Sequence, residues 1–307
     1  ASDACATGLA RYGVGPEDRV LIAATNSFEF LVAFFATQKR RAILVPVNTE
    51  LRGSLLAHQI RNSRPKVIIA ERDLTEDQES DVLESVVAHI GIPGAIPTLV
   101  PLQIGTFAEL CDETDPKMLL APRPRDICLV LYTSGTSGPS KGVQIPQAHA
   151  YLFGLQQARA LSVGRADCFL ISLPMFHVNA LLMSLGACLL TGAEAYVTAR
   201  FSASQWISDV KISGATVTNT LGVMAEFILQ QPERSLDREH RLRRVMAVPV
   251  SAQWADIFRV RFGVDLVQVY GMTECNIVSF TGAADELVAG CVAGVSDEFF
   301  EVAIVEP

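Results

Sequence analysis

The chain has 307 residues, half of them hydrophobic, and carries a net charge of −8. Such a chain can bury a large core and can form two ordinary domains or one large α/β unit. Its acidic balance argues against nucleic-acid binding, which depends on clustered Lys and Arg. The seven cysteines are scattered singly without a C-x-x-C pair, so the sequence indicates neither a zinc site nor a disulfide framework and favours the reducing cytoplasm.

Neither a membrane span nor a signal peptide is expected. The longest apolar stretch, ALLMSLGACLL at 180–190, is too short to cross a bilayer and predicts a buried helix. The first residues show no basic segment followed by an apolar one, which a signal peptide would need.

In the first half of the chain, short apolar runs that predict strands alternate with helical patterns. Predicted strands lie at 19–24, 42–47, 66–71, 98–104 and 127–132. Predicted helices lie at 27–40 with Ser27 as the N-cap, at 51–62 and at 78–90.

The same alternation continues in the second half. Predicted strands lie at 167–172, 194–198, 215–219, 243–248, 265–270 and 299–305. Predicted helices lie at 147–161, 177–190, 202–212, 222–230 and 251–262. The pattern predicts an α/β fold of mostly parallel sheets sandwiched by helices. Proline and charge cluster at 112–126 and 230–240, which are the predicted joints between subdomains.

The apolar run at 127–132 leads into YTSGTSGPSKG, residues 132–142. Parallel sheets bind ligands at loops beyond the carboxyl ends of their strands, and this segment has that position. Closely spaced glycines let successive N–H groups face one anion, and Lys141 adds a mobile positive charge. The alternative is a long polar turn with a surface lysine. A Walker-type phosphate loop is excluded because Ser140, not glycine, precedes Lys141.

The segment resembles the signature loop of the adenylate-forming enzymes, the acyl-CoA synthetase superfamily, with proline one place early and Ser137 in place of a threonine. A second segment, QVYGMTE at 268–274, is similar to the Tyr-Gly-x-Thr-Glu motif of that family. A third, LPMFH at 173–177, is similar to its Pro-x-Phe-His segment. The run from 230 to 274 looks most like the crotonobetaine/carnitine-CoA ligase and fatty-acyl-CoA ligase branch.

The resemblance implies a role for each matching residue. Tyr270 stacks on adenine, Thr273 hydrogen-bonds the α-phosphate and Glu274 holds Mg²⁺. Thr136, Lys141, Glu274 and His177 are the expected catalytic residues. The expected nucleotide contacts are Thr133, Ser134, Gly135, Thr136, Ser137, Gly138, Lys141, Tyr270, Gly271, Met272 and Thr273.

The acid substrate is expected to meet His177, Leu221, Gly222, Val248 and Gly271. The residues around 221–227 are apolar except Glu226, which favours a hydrophobic acid over a cationic one such as carnitine. A bulky Val248 and Pro249 stand where the family has small residues in the turn that lines the adenine and acyl pocket.

The resemblance covers nearly the whole chain and implies the large N-terminal core, without the small C-terminal domain, of an enzyme that is longer than these residues. The implied reaction joins a carboxylic acid to coenzyme A through an acyl-adenylate, with ATP and Mg²⁺ as cofactors. Two alternatives stay open: a unit that passes the acyl-adenylate to a carrier-protein thiol, and a catalytically silent nucleotide-binding relative. The resemblance also leaves a homodimer open.

Overall fold

The computed structural model describes residues 1–71, 80–83, 86–91, 103–133, 139–250, 252–281, 294, 298–303 and 305. The chain divides into two compact units. The first holds Ala1–Ala150 with Met175–His177, and the second holds Tyr151–Pro174 with Val178–Pro307. None of the helices in the described ranges is both long and apolar enough to cross a membrane.

The first unit is built on a seven-stranded sheet. Its strands are β1 (Arg19–Ala23), β2 (Ile43–Pro46), β3 (Val67–Ala70), β4 (Ala88–Gly91), β5 (Gln103–Thr106), β6 (Ile127–Thr133) and β7 (Lys141–Pro146). Their order is β5-β4-β3-β1-β2-β6-β7, and every pairing is parallel except that of β6 with β7.

Helices accompany this sheet: α1 (Ser2–Arg11), α2 (Phe28–Lys39), α3 (Gly53–Ser63), the short α4 (Phe107–Leu110) and α5 (Gln147–Leu161), of which α5 lies mainly in the second unit. The Ser27 side chain accepts a hydrogen bond from the Phe30 amide and so caps α2 as predicted. The central strands are apolar on both faces, as in a sheet covered on both sides. One core cluster joins Leu21, Val45 and Ile68 of the sheet to Leu56 and Ile60 of α3, which fixes α3 against the sheet.

The second unit contains a five-stranded parallel sheet and a two-stranded ribbon. Its strands are β8 (Cys168–Ile171), β9 (Glu194–Val197), β10 (Val217–Leu221), β11 (Arg244–Val248), β12 (Asp265–Val267), β13 (Val269–Met272) and β14 (Asn276–Phe280). The larger sheet has the order β12-β11-β10-β8-β9, and β13 pairs with β14 in antiparallel fashion.

Four further helices belong to this unit: α6 (Leu185–Thr191), preceded by a π-helical turn at Asn179–Ser184, α7 (Trp206–Ser213), α8 (Gly222–Leu229) and α9 (Ala252–Phe262). Its core combines aliphatic side chains with a group of aromatic rings on α7 and α9. Trp206 meets Phe258 edge-on at 6.2 Å between ring centroids and Phe262 at 5.4 Å. These contacts hold both helices against the same part of the core.

The α/β class with parallel sheets is confirmed, but three predicted elements were wrong in detail. The helix predicted at 78–90 contains a short 3₁₀ turn at Ser80–Leu83 and then strand β4, because its apolar end pairs with β3. The strand predicted at 265–270 is divided into β12 and β13, which belong to different sheets. The strand predicted at 299–305 is not formed in its described residues, where Val302 and Val305 stay exposed.

Four elements had no counterpart in the sequence prediction: helices α1 and α4 and strands β7 and β14. Strand β7 carries the end of the signature loop, and its residues are mostly half-buried or exposed, so it lacks the apolar run that revealed the other strands. The joints predicted at 112–126 and 230–240 stay predictions.

Candidate functional site

In the first unit, the candidate residues lie on the hairpin that closes the signature loop. Strands β6 and β7 pair so that Thr133 lies directly opposite Lys141. These two predicted nucleotide-binding residues are therefore brought together at the carboxyl end of β6. They form the last residue pair of the two strands, and the Lys141 side chain is exposed. The predicted residues Ser134, Gly135, Thr136, Ser137 and Gly138 lie outside the described residues.

The glycine after the lysine has a packing role. Gly142 lies opposite Tyr132, and a Cβ at Gly142 would stand 2.8 Å from Val130 Cγ1 and 3.4 Å from the Tyr132 ring. Val130 is buried and β-branched, so it has little freedom to move away. A glycine at this position therefore lets the residue pairs at the end of the hairpin pack closely beside the loop.

Helix α3 holds both ends of the loop by hydrogen bonds. The Tyr132 hydroxyl donates to Asn62 Oδ1 at 2.7 Å and to the Gln59 carbonyl at 3.3 Å. On the other side of the loop, His58 Nε2 donates to the Ser140 carbonyl at 2.9 Å. Burial raises the pKa of Tyr132 to about 12, so the hydroxyl keeps its proton and stays a donor at neutral pH.

A cavity of about 370 Å³ opens beside this hairpin within the first unit. Its lining includes Thr133 and Ser140 at the ends of the loop, Gln59 of α3 and the pair Phe176–His177. Apolar side chains complete the wall: Pro46, Val47, Leu51 and Leu55. The predicted residues Thr133 and His177 therefore share one cavity at the carboxyl ends of the strands.

His177 stacks obliquely on its neighbour, with 4.5 Å between the ring centroids of Phe176 and His177. Its side chain keeps a face exposed to solvent, while the surrounding atoms partly desolvate the imidazole and lower its pKa. The imidazole is therefore neutral at pH 7 and able to accept a hydrogen bond.

Asn26, which follows β1, holds the segment Met175–His177 in place within the first unit. Its Oδ1 accepts a hydrogen bond of 2.7 Å from the Met175 amide, and its side chain is buried. A polar residue three positions beyond the end of β1 was the available signal for Asn26 in the sequence.

Gln59 has an unsatisfied atom at the cavity. Its Nε2 donates to Ser140 Oγ at 3.4 Å, whereas its buried Oε1 has no hydrogen-bond partner among the described residues. A buried carbonyl oxygen of this kind requires a donor from a ligand or from water. Sequence reasoning missed His58, Gln59 and Asn62, because their helical pattern indicates only the apolar face of α3.

In the second unit, the structure brings together three predicted acid-binding residues. Strands β10 and β11 pair so that Leu221 lies beside Val248 at their carboxyl ends, and Gly222 follows as the first residue of α8. A Cβ at Gly222 would stand 3.1 Å from Pro249 Cδ and 3.2 Å from the Trp254 ring. The bulk of the Val248–Pro249 turn is therefore accommodated by a glycine that faces it.

The Tyr-Gly-x-Thr-Glu segment forms β13 and the turn into β14. The register shifts between Tyr270 and Gly271, and a Cβ at Gly271 would stand only 2.3 Å from the Asn276 carbonyl oxygen. Asn276 is buried in the left-handed conformation, with φ of 73°, and its Oδ1 accepts a hydrogen bond from the Ile277 amide. The backbone of this hairpin is thus tightly constrained.

The side chains of the same hairpin are available to a ligand. Tyr270 is 54% exposed, Met272 is 52% exposed, and Glu274 is exposed as well. Glu274 forms no ion pair within the described part of the chain. The described residues contain no group of three or more His, Cys, Asp and Glu side chains placed to hold a metal. A single free carboxylate suits a cation such as Mg²⁺ that takes its other ligands from phosphate and water.

A sequence model of the family described as AMP-binding enzyme matches residues 1–307. Among curated proteins, Long-chain fatty acid transport protein 6 of Mus musculus is 29% identical over 267 residues, which are 85% of this chain and 43% of that protein. Medium/long-chain-fatty-acid–CoA ligase FadD6 of Mycobacterium tuberculosis is 31% identical over 87% of this chain and 44% of its own length. Crotonobetaine/carnitine–CoA ligase of Citrobacter koseri is 30% identical, with 88% of this chain and 53% of that protein covered.

Solved structures support the fold. ATP-bound MatB from Rhodopseudomonas palustris superposes with a TM-score of 0.78 at 21% identity, covering 96% of this chain and 57% of that one. The N-terminal domain of FACL13 from Mycobacterium tuberculosis gives a TM-score of 0.77 at 23% identity, covering 92% and 70%. The chain spans about half the length of the curated relatives it matches.

Proposed function

The chain belongs to the family of AMP-binding enzymes, and from that premise we propose that the whole protein activates a hydrophobic carboxylic acid with ATP and transfers the acyl group to coenzyme A. The observation that carries the proposal is the signature loop at the carboxyl end of β6, closed by Thr133 opposite Lys141, in a chain that this family matches throughout. Relatives named as CoA ligases support the reaction class.

In the first step the carboxylate attacks the α-phosphorus of ATP, the bond to the bridging oxygen breaks, and pyrophosphate leaves. Negative charge moves onto phosphate oxygens, so positioning and electrostatic stabilisation carry the catalysis. Lys141 faces the leaving phosphates, Tyr270 supplies an exposed ring for adenine, and Thr273 donates to the α-phosphate. The free carboxylate of Glu274 would hold Mg²⁺, whose positive charge would offset that of the phosphates.

In the second step the thiolate of coenzyme A attacks the acyl carbon and AMP leaves. The proposed place for the acid is the end of β10 and β11, where Leu221, Gly222 and Val248 meet. Leu221, Val223 and Phe227 expose apolar side chains there beside the exposed Glu226, and this excess of apolar side chains favours an apolar acyl group over a cationic one. A cytoplasmic location fits a reaction that consumes ATP and coenzyme A.

The test is acid-dependent exchange of pyrophosphate into ATP, measured on the whole protein with acids of increasing chain length and with carnitine. We expect exchange with apolar acids and thioester formation when coenzyme A is added. Exchange without thioester formation on coenzyme A would favour transfer to a carrier-protein thiol. No exchange with any acid, from a protein that binds ATP, would favour a catalytically silent relative.

A further inference from the structure

A second cavity in the first unit shares Tyr132 with the first cavity but is lined by none of the residues assigned a catalytic or nucleotide-binding role. It has a volume of about 420 Å³ and extends along the face of β6 and β7. At one end it is lined by the residues that precede β1, β2 and β6, and at the other by Tyr132 and Asn62. We name this cavity the arginine groove, because four arginines line it: Arg19, Arg41, Arg123 and Arg125.

The charge of the groove is opposite to that of the chain. The lining contains only two acidic residues, Glu17 and Asp126, beside the four arginines, whereas the chain as a whole has a net charge of −8. Asp126 is almost wholly enclosed and is shared by two of the arginines, accepting from Arg41 Nε at 2.7 Å and from Arg123 Nε at 2.9 Å. This carboxylate therefore holds two guanidinium groups in place while neutralising one positive charge.

The other two arginines of the groove are Arg19 and Arg125. Among the described residues, neither Arg19 nor Arg125 has an acidic partner. Arg19 is half-buried at the start of β1, where its positive charge acts on the Tyr132 hydroxyl at the far part of the same groove. Asn62 and Gln144 add amide groups to the lining that can donate hydrogen bonds.

We propose that the arginine groove binds a small molecule that carries one or more phosphate groups, at a site separate from the proposed ATP site. Guanidinium groups match phosphate oxygens in paired hydrogen bonds, and a concave cavity strengthens that attraction by excluding part of the water. Its volume is that of a small-molecule site. This inference does not depend on the proposed acid activation, because none of the four arginines has a role in that reaction, although Tyr132 and Asn62 of the groove also hold the signature loop.

The test is a calorimetric titration of the whole protein with inorganic pyrophosphate. Four forms are compared: wild type, the double variant Arg19→Gln/Arg125→Gln, Lys141→Ala, and Arg11→Gln as a matched control for an exposed arginine outside the groove. We expect a binding event that persists in Lys141→Ala and Arg11→Gln and weakens about ten-fold or more in the double variant, since each charged hydrogen bond contributes strongly to affinity.

Hydrogen exchange locates the binding event independently of any variant. Amides in 123–132 are expected to gain protection with pyrophosphate in Lys141→Ala, even where the double variant fails to fold. Binding that disappears in Lys141→Ala alone, or that is equal in wild type and a folded double variant, would overturn the proposal. If the whole protein bound pyrophosphate in the arginine groove but catalysed no exchange of pyrophosphate into ATP, only the proposed function would be overturned.

Discussion

The two signature regions of this molecule are held in place by different means. The ends of the loop between β6 and β7 are fixed by side chains of α3, through the Tyr132–Asn62 and His58–Ser140 hydrogen bonds. The hairpin of β13 and β14 is constrained mainly by its own backbone, with Gly271 pressed against Asn276, and Gln156 of α5 adds one hydrogen bond to the Ile277 carbonyl. The first arrangement depends on side-chain hydrogen bonds, whereas the second presents the exposed side chains of Tyr270, Met272 and Glu274 on a constrained backbone.

The largest expected effect comes from removing the proposed metal ligand of the rigid hairpin. Glu274→Ala should lower pyrophosphate exchange about a hundredfold or more, because a well-placed electrostatic group contributes a few kcal/mol to the transition state. Thr136→Ala, in the loop, should have a similar effect. Glu226→Ala serves as the control, since that exposed carboxylate has no part in the proposed reaction. Wild-type exchange in both Glu274→Ala and Thr136→Ala would contradict the assignment.

The next effect tests the backbone constraint itself. Gly271→Ala should destabilise the fold by about 1–3 kcal/mol and reduce exchange, because its Cβ would stand 2.3 Å from the Asn276 carbonyl oxygen. Gly15→Ala is the matched control, since the nearest atom to its Cβ would be 3.9 Å away. Urea denaturation of both variants measures the difference. Equal stability of the two variants would show that the hairpin tolerates a side chain.

A smaller effect is expected where the loop is held by α3. Tyr132→Phe and Asn62→Ala should each cost about 1 kcal/mol of stability, because each removes one partner of the same hydrogen bond. Each should also raise the KM for ATP severalfold by loosening the loop. The double variant should be less destabilised than the two single effects added together. Full additivity in this cycle would mean that the two side chains do not support each other.

The smallest effect is a pH dependence that belongs to the second unit. His240 Nδ1 accepts from the Leu242 amide and Nε2 donates to the Asp237 carbonyl, and desolvation lowers the pKa of His240. The unfolded state therefore binds the proton more readily, so stability should fall as the pH drops below about 6.5 towards the lowered pKa. His240→Gln should flatten this slope between pH 7 and 5 in chemical denaturation. An unchanged slope would exclude His240 as its source.

The sequence predicted much of the fold because most strands contain a short run of apolar residues. It could not place β7, which is half-exposed, or recognise that the apolar end of 78–90 pairs with β3 rather than completing a helix turn. Whether such a segment forms a strand depends on pairing with residues that are distant in the chain, and a local sequence pattern does not encode that pairing.

The site was predictable where a residue acts through its own chemistry, as Lys141 and Tyr270 are expected to do. Residues that act by supporting a loop were not predictable in this way. His58 and Asn62 occupy ordinary exposed positions of a helical pattern, and their importance depends on which strand α3 packs beside. Gly142 and Gly271 lie between these cases. Both belong to recognisable motifs, but the close contacts that favour glycine at each position are visible only in the structure.

The central claim is that Lys141 meets the phosphate end of ATP and Tyr270 its adenine end. Affinity labelling of the whole protein tests it most directly, with one ATP derivative reactive at the γ-phosphate and another photoreactive at adenine, followed by peptide mapping. The account predicts that the first labels Lys141, that the second labels the peptide containing Tyr270, and that excess ATP suppresses both. Specific labelling of other segments by both reagents would contradict it.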